Sequence, residues 1–183
     1  YPCKFKINYC KMSLYQQIAR IGPKFFQKKT LFKYGFNLSP MYKRSTGRIV
    51  YVSDDLLTVR VKLPLSYKNR NYVNSIFGGS MFASVDPIPM VQLINLIGND
   101  YVVWDKSAEI LFKRPARTTL YADFIYTLTE LDDIKRKIGQ DNEVEIVKTT
   151  LLKDKAGDST YCEVKKVIYI ADKNFYKQKR SSK

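Results

Sequence analysis

The residues best suited to chemistry lie between Asn71 and Asp86. Gly78-Gly79 stands at the start of an apolar run, and Asp86 follows two helical turns later. A glycine lets the backbone come close to a ligand. The first turn of a helix offers N–H groups that have no intrahelical partner and carry positive partial charge. Such donors suit the carbonyl of a thioester and the oxyanion formed when it is attacked. Asn71, in the loop before the glycines, could hold a carbonyl or a water. The sequence contains no histidine. That excludes Ser-His-Asp and Cys-His centres, histidine metal sites and a histidine general base. Hydrolysis here must rest on carboxylates, hydroxyls, lysine or backbone dipoles, and no metal or cofactor is expected.

These residues need a helix held against a sheet, and the pattern supplies both. Leu57, Val59, Val61, Leu63 and Leu65 alternate with Thr58, Arg60, Lys62 and Pro64, the period of a half-buried strand. A short strand over 48–52 precedes it, and a polar loop over 66–74 follows. The run from about Gly79 to Ile97 reads as one helix, apolar nearly all round and so buried on most sides. Strands are predicted over 101–112, from 120 to about 127, over 144–153 and over 160–170. A helix starting at Thr129 and closed by Gly139 separates the middle two. On the last strand Cys162, Val164, Ile168 and Ile170 share one face, and Lys166 is the exception. The order predicts an α+β fold, a curved antiparallel sheet wrapped around one long central helix.

Charge divides the chain of 183 residues into three parts. The formal net charge is +15, but residues 1–48 hold 11 Lys/Arg and no Asp/Glu, and residues 173–183 hold 5 and none. The middle carries 16 basic and 17 acidic residues and is close to neutral. We therefore divide the chain into a basic N-terminal extension with short helices (1–47), a central domain (48–172) and a basic C-terminal tail (173–183). Only the flanks could contact many phosphates, so nucleic acid is disfavoured as a partner. The acid-free start has the composition of an organelle targeting region. A basic arm that docks on a protein partner would look the same. A short helix is expected over 13–20, and Phe25, Phe26, Phe32 and Phe36 are expected to dock on the domain's own sheet, an acidic protein partner or a lipid headgroup layer, with the protein partner favoured. Cys3, Cys10 and Cys162 form no C-x-x-C pair and are read as reduced thiols. The longest apolar region, 76–97, is interrupted by Gly78, Gly79, Asp86, Pro87 and Pro89, so no membrane span is expected.

Asn71, Gly78-Gly79 and Asp86 together resemble the pattern of the phenylacetyl-CoA-type hotdog thioesterases. The stretches Ile76-Phe77-Gly78-Gly79, Asp86-Pro87, Tyr101 to Lys106, Ala108-Glu109-Ile110 and Arg114-Pro115 resemble a bacterial-type hotdog family of unassigned function more closely. The resemblance covers about 40–172. It implies a hotdog fold and acyl-CoA thioester hydrolysis at a dimer interface, in a homodimer or a hotdog heterodimer. It assigns catalysis to Asp86, Asn71 and Gly79. Gly78 and Phe77 would line the substrate, and Lys113, Arg114 and Arg117 could meet the phosphates of coenzyme A. Two positions depart from the pattern: Phe77 stands where the family has His, and Asn74 where it has Gly. Pro87 also disfavours helical backbone at Asp86 and predicts a kink there. The competing reading gives these residues structural work only: the glycines allow tight packing, and Asp86 caps the break at Pro87. In that case the chain is a non-catalytic hotdog subunit of a larger, mitochondrial assembly, reached through its basic extension. Asp105, Lys106 and Glu109 are expected to form a salt-bridged surface or interface row.

Overall fold

The computed structural model describes residues 27–182. The helix expected over 13–20, the aromatic residues Phe25 and Phe26, and Cys3 and Cys10 lie outside them. Two helices come first, α1 (Lys28–Leu38) and α2 (Pro40–Arg44), followed by β1 (Arg48–Val52) and β2 (Thr58–Leu63). The central helix comes in two pieces, α3 (Gly78–Val85) and α4 (Ile88–Ile97). After them run β3 (Tyr101–Phe112), β4 (Leu120–Ile125), α5 (Leu128–Asp141), β5 (Glu143–Lys153), β6 (Thr160–Asp172) and α6 (Lys173–Ser181). The six strands form one sheet in the order β1-β2-β4-β5-β6-β3, antiparallel throughout. This is the α+β architecture expected from the sequence.

The alternation read from the sequence sets which face is buried. Val59, Val61 and Leu63 of β2 point into the core with Leu120, Ala122 and Phe124 of β4. Val164, Ile168 and Ile170 of β6 do the same from the other half of the sheet. The central helix packs Met81, Ser84, Val85, Ile88, Gln92 and Leu93 against them. Those positions recur at three- and four-residue spacing, so one stripe is buried and the opposite side is not. The segment Gly78–Ile97 is, by length and mean hydropathy, long and apolar enough to cross a membrane. Half of it is buried against this sheet, which accounts for the apolar content.

The break at Asp86-Pro87 has a local cause. Pro87 and Pro89 lack the N–H groups that would continue the ladder. The carbonyls freed nearby are taken by side chains: Tyr42 donates its hydroxyl to the Ser84 carbonyl at 2.8 Å, and Lys166 reaches the Asp86 carbonyl. Tyr126 adds a hydroxyl to the Pro89 carbonyl at 3.0 Å. Burial pushes both tyrosine hydroxyls well above their ordinary pKa, so they stay donors.

Several boundaries differ from the sequence reading. The helix after β4 starts two residues earlier than expected, because Thr127 rather than Thr129 is the cap and accepts the Glu130 N–H at 3.1 Å. It runs through Gly139 and stops at Asn142, which adopts the left-handed conformation that ends helices (φ 63°). Residues 28–47, assigned to the extension, pack on the domain's own sheet: Phe32 and Tyr42 are core residues, and Phe36 lies against them. The acidic partner favoured for these aromatics is not what covers Phe32 and Phe36. The basic C-terminal tail folds into α6. Asp172 caps it by accepting the N–H groups of Asn174 and Phe175, both at 2.9 Å. Tyr176 of α6 packs on the stacked rings of Trp104 and Tyr169.

Candidate active site

The helix start is built by the loop before it. The Asn71 side chain closes that loop: its Oδ1 accepts the N–H groups of Val73 (3.1 Å) and Ser75 (3.0 Å), and its Nδ2 donates to Ser75 Oγ (2.9 Å). Asn71 is thereby committed to the loop backbone. The Ile76 N–H donates to the Ala116 carbonyl at 2.8 Å, and the Phe77 N–H to the Asn69 carbonyl at 2.7 Å. Phe77 is then extended (φ −60°, ψ 131°) and caps α3, with its carbonyl accepting from Ser80 and Met81. The N–H groups of Gly78 and Gly79 have no acceptor among the described residues. These are the donors the sequence pointed to.

Two aromatic rings lie on those glycines. A Cβ on Gly79 would stand 2.3 Å from the Phe77 ring, and one on Gly78 would stand 2.7 Å from the ring of Phe112 on β3. Both rings remain about half exposed, at 57% and 51%. The glycines are therefore needed for close approach, and what approaches in this chain is Phe77 and Phe112.

Asp86 sits at the break between α3 and α4, with its side chain 42% exposed. Its Oδ1 accepts from Lys166 Nζ at 2.7 Å. Lys166 projects from β6 into the core and is 1% exposed, the one buried charged residue among those described. Its ammonium also donates to the Asp86 carbonyl and to Oδ2 of Asp105 on β3. Three acceptors match the three donors of an ammonium, the condition for burying one. Asp105 Oδ1 is buried without a hydrogen-bond partner among the described residues. Burial pushes the Asp105 carboxyl above its ordinary pKa; the hydrogen bond and charge of Lys166 oppose this, and the charge of Asp86 adds to it.

The expected row of Asp105, Lys106 and Glu109 is split. The β3–β6 register shifts between Asp105 and Ser107. Such a bulge adds one residue without turning over the rest of the strand. Lys106 pairs with Glu145 on β5, whereas Asp105 turns inward to Lys166. The sequence missed the role of Lys166 but carried its signal, a lysine interrupting the apolar face of β6.

Asp86 and Gly79 share the open side of the central helix. Seven residues at 1.5 Å each place them roughly 10 Å apart along the axis, and nearly in line around it. One thioester carbonyl cannot touch both, because reacting atoms must come within about 3–3.5 Å. A single chain thus holds the donor and the carboxylate at two separate stations. Lys113, Arg114 and Arg117 are exposed just beyond Phe112. Lys113 pairs with Glu163 at 2.7 Å, Arg114 lies over the Tyr161 ring, and Arg117 points at the Val73 carbonyl at 3.5 Å. Two recesses of about 500 and 200 Å³ lie elsewhere, beside β4 and β5, and neither is lined by Asp86, Asn71 or Gly79.

Residues 28–170 match a family described as a domain of unknown function, DUF4442, and the chain belongs to that family. A search of curated proteins finds no match. Solved structures of hotdog thioesterase type share the fold. One is a protein of unknown function from Pseudomonas aeruginosa described as a probable thioesterase, with TM-score 0.69 and 17% identity over 78% of this chain and 95% of that one. A thioesterase from Haemophilus influenzae gives TM-score 0.51 and 11% identity over 71% and 81%. A variant of a Staphylococcus aureus thioesterase gives 0.52 and 12% over 73% and 99%. The chain thus has the hotdog fold of these thioesterases, as the motifs around Gly78-Gly79 and Asp86 implied.

Proposed function

We propose that this chain hydrolyses an acyl-CoA thioester as a two-fold dimer, with Asp86 of one copy facing the Gly79 N–H of the other. The observation that carries this reading is Asp86 itself. It is a half-exposed carboxylate, anchored by a buried lysine, on the same side of the helix as free N–H donors that it cannot reach within one chain. A two-fold axis through that open side would bring one station of each copy opposite the other. The thioester carbonyl would lie against the Gly79 N–H while Asp86 takes a proton from the attacking water. Arg114 and Arg117, exposed at the end of β3, would meet the phosphates of coenzyme A. The test is thiol release from acyl-CoAs of short to long chain by the purified protein. Asp86→Asn should lower kcat by at least ~10². Unchanged turnover in that variant removes Asp86 from the mechanism.

A second reading has its own observation. The rings of Phe77 and Phe112 occupy the approach to Gly78-Gly79, as they would in a non-catalytic hotdog subunit of a larger mitochondrial assembly. Folded wild type that hydrolyses no acyl-CoA would favour that reading.

A further inference from the structure

We infer that Lys166 is a positioning residue for the Asp86 chemistry: it anchors one carboxylate oxygen so that the other faces the thioester. This rests on the thioesterase reading. One ammonium holds both the carbonyl and Oδ1 of Asp86, so it grips a single residue at two points. Such a grip fixes the side-chain torsion of Asp86 relative to its own backbone. Its third bond, to Asp105 Oδ2, ties the grip to β3, the strand that carries Phe112 over the helix start. The Lys166 side chain is buried, so the anchor does not swing with solvent. Asp86 Oδ2 has no partner among the described residues, and the side chain is the exposed member of the cluster. The free oxygen is the one placed to act.

The grip answers a difficulty that the sequence raised. Pro87 ends α3 at Asp86, whose backbone stays helical (φ −50°, ψ −54°) but whose half-exposed side chain would, without a partner, be free to turn. A catalytic carboxylate needs the opposite, since a small misplacement costs orders of magnitude in rate. Lys166 supplies the missing constraint and takes the carbonyl that the break sets free. In the reaction the unanchored oxygen of Asp86 accepts a proton from water as the water oxygen bonds the acyl carbon. The C–S bond then breaks, and the proton passes to the leaving thiolate. Lys166 neither gives nor receives a proton. It keeps Asp86 oriented.

The experiment measures kcat and KM for acyl-CoA hydrolysis in wild type, Asp86→Asn, Lys166→Met and Lys166→Arg. Lys166→Met should lower kcat about 10²-fold with KM nearly unchanged, the mark of an interaction used in the transition state. Lys166→Arg, which keeps a charged donor, should recover part of the lost kcat. If Lys166→Met does not fold, Lys166→Met/Asp105→Asn removes the stranded acid and reads the same quantities. A methionine variant with wild-type kcat, alongside an inactive Asp86→Asn, overturns the inference and leaves the thioesterase reading standing. Wild type without acyl-CoA hydrolysis, or a fully active Asp86→Asn, overturns both.

Discussion

The two edges of the sheet are finished in opposite ways. At the β1 edge, helix α1 lies along the strand, and Asn37 behaves like one residue of an absent neighbour. Its Nδ2 donates to the Ile49 carbonyl and its Oδ1 accepts the Ile49 N–H, both at 2.9 Å. Lys33 donates to the Val50 carbonyl at 2.8 Å, and Phe32 anchors the helix in the core. At the β3 edge, the strand pairs with β6 on one side only. Leu111 and Phe112 are exposed there, and Asp86 opens nearby through its link to Lys166 and Asp105. An unpaired edge invites another strand, and proteins blunt those they do not use. This molecule blunts one edge with a helix and leaves apolar groups on the other, beside its candidate site. The difference supports assigning the first edge to stability and the second to association.

Breaking the sealed edge should have the larger effect. Asn37→Ala strips the Ile49 N–H and carbonyl of their partners at a partly buried position. Leaving such groups unsatisfied costs about 1–3 kcal/mol. Urea unfolding should show that loss, with more aggregation of the variant as β1 becomes a second open edge. A change of only a few tenths of a kcal/mol would mean that α1 rests on the edge without sealing it.

The open edge responds to charge. Leu111→Lys places an ammonium on an exposed, apolar stretch of β3, one of the devices by which natural edges avoid pairing. In the proposed dimer it should weaken association at least tenfold, or about 1.4 kcal/mol, while the melting temperature of the monomer fold stays near wild type. Sedimentation or light scattering across a concentration series reads the first quantity. Hydrolysis should fall with dimer content, since each site would draw on both copies. Wild type that is monomeric at micromolar concentration would remove the basis for the comparison.

Much of this contrast was legible in the sequence, and the illegible part has physical reasons. Period-two alternation on β2, β4 and β6 marks the inner face directly, because one face of the sheet is buried. Gly78-Gly79 and Pro87 announce the helix start and the division into α3 and α4, but Asp86 keeps helical backbone (φ −50°, ψ −54°), against the expectation that the following proline would exclude it. Asn37 gives no such sign: an asparagine near a helix end reads as a capping residue, and its work on Ile49 is a contact between elements. The bulge at Lys106 is silent as well, and without it Asp105 reads as part of an outward-facing row. Lys166 was visible as an anomaly, but its partners come from the helix break and from β3, which only the fold brings together. Charge composition misled at the N-terminal side. Acid-free residues up to 48 look like one appendage, yet the part from Lys28 onward is the seal of the β1 edge.

The smallest effect probes the charge balance at the open edge through Asp105. Burial raises its carboxyl pKa in the folded chain, against the pull of Lys166. A folded-state value above the unfolded one, ordinarily about 3.9, means that the folded state binds its proton more tightly. Stability from this group is therefore fully present below the ordinary value and is lost as pH rises through the folded value. Surface acids give the reverse slope. Glu143, held below the usual range by hydrogen bonds from Lys179 and then Tyr169, contributes stability that is lost as pH falls. The two trends overlap in wild type, so the informative quantity is the difference between wild type and Asp105→Asn. The amide cannot titrate, and its oxygen can still accept from Lys166. Unfolding free energies measured in urea, from below the ordinary carboxylate value upward, should show wild type losing ground to the variant as pH increases. A difference that is flat, or that moves in favour of wild type, would show that Asp105 is not held up by burial.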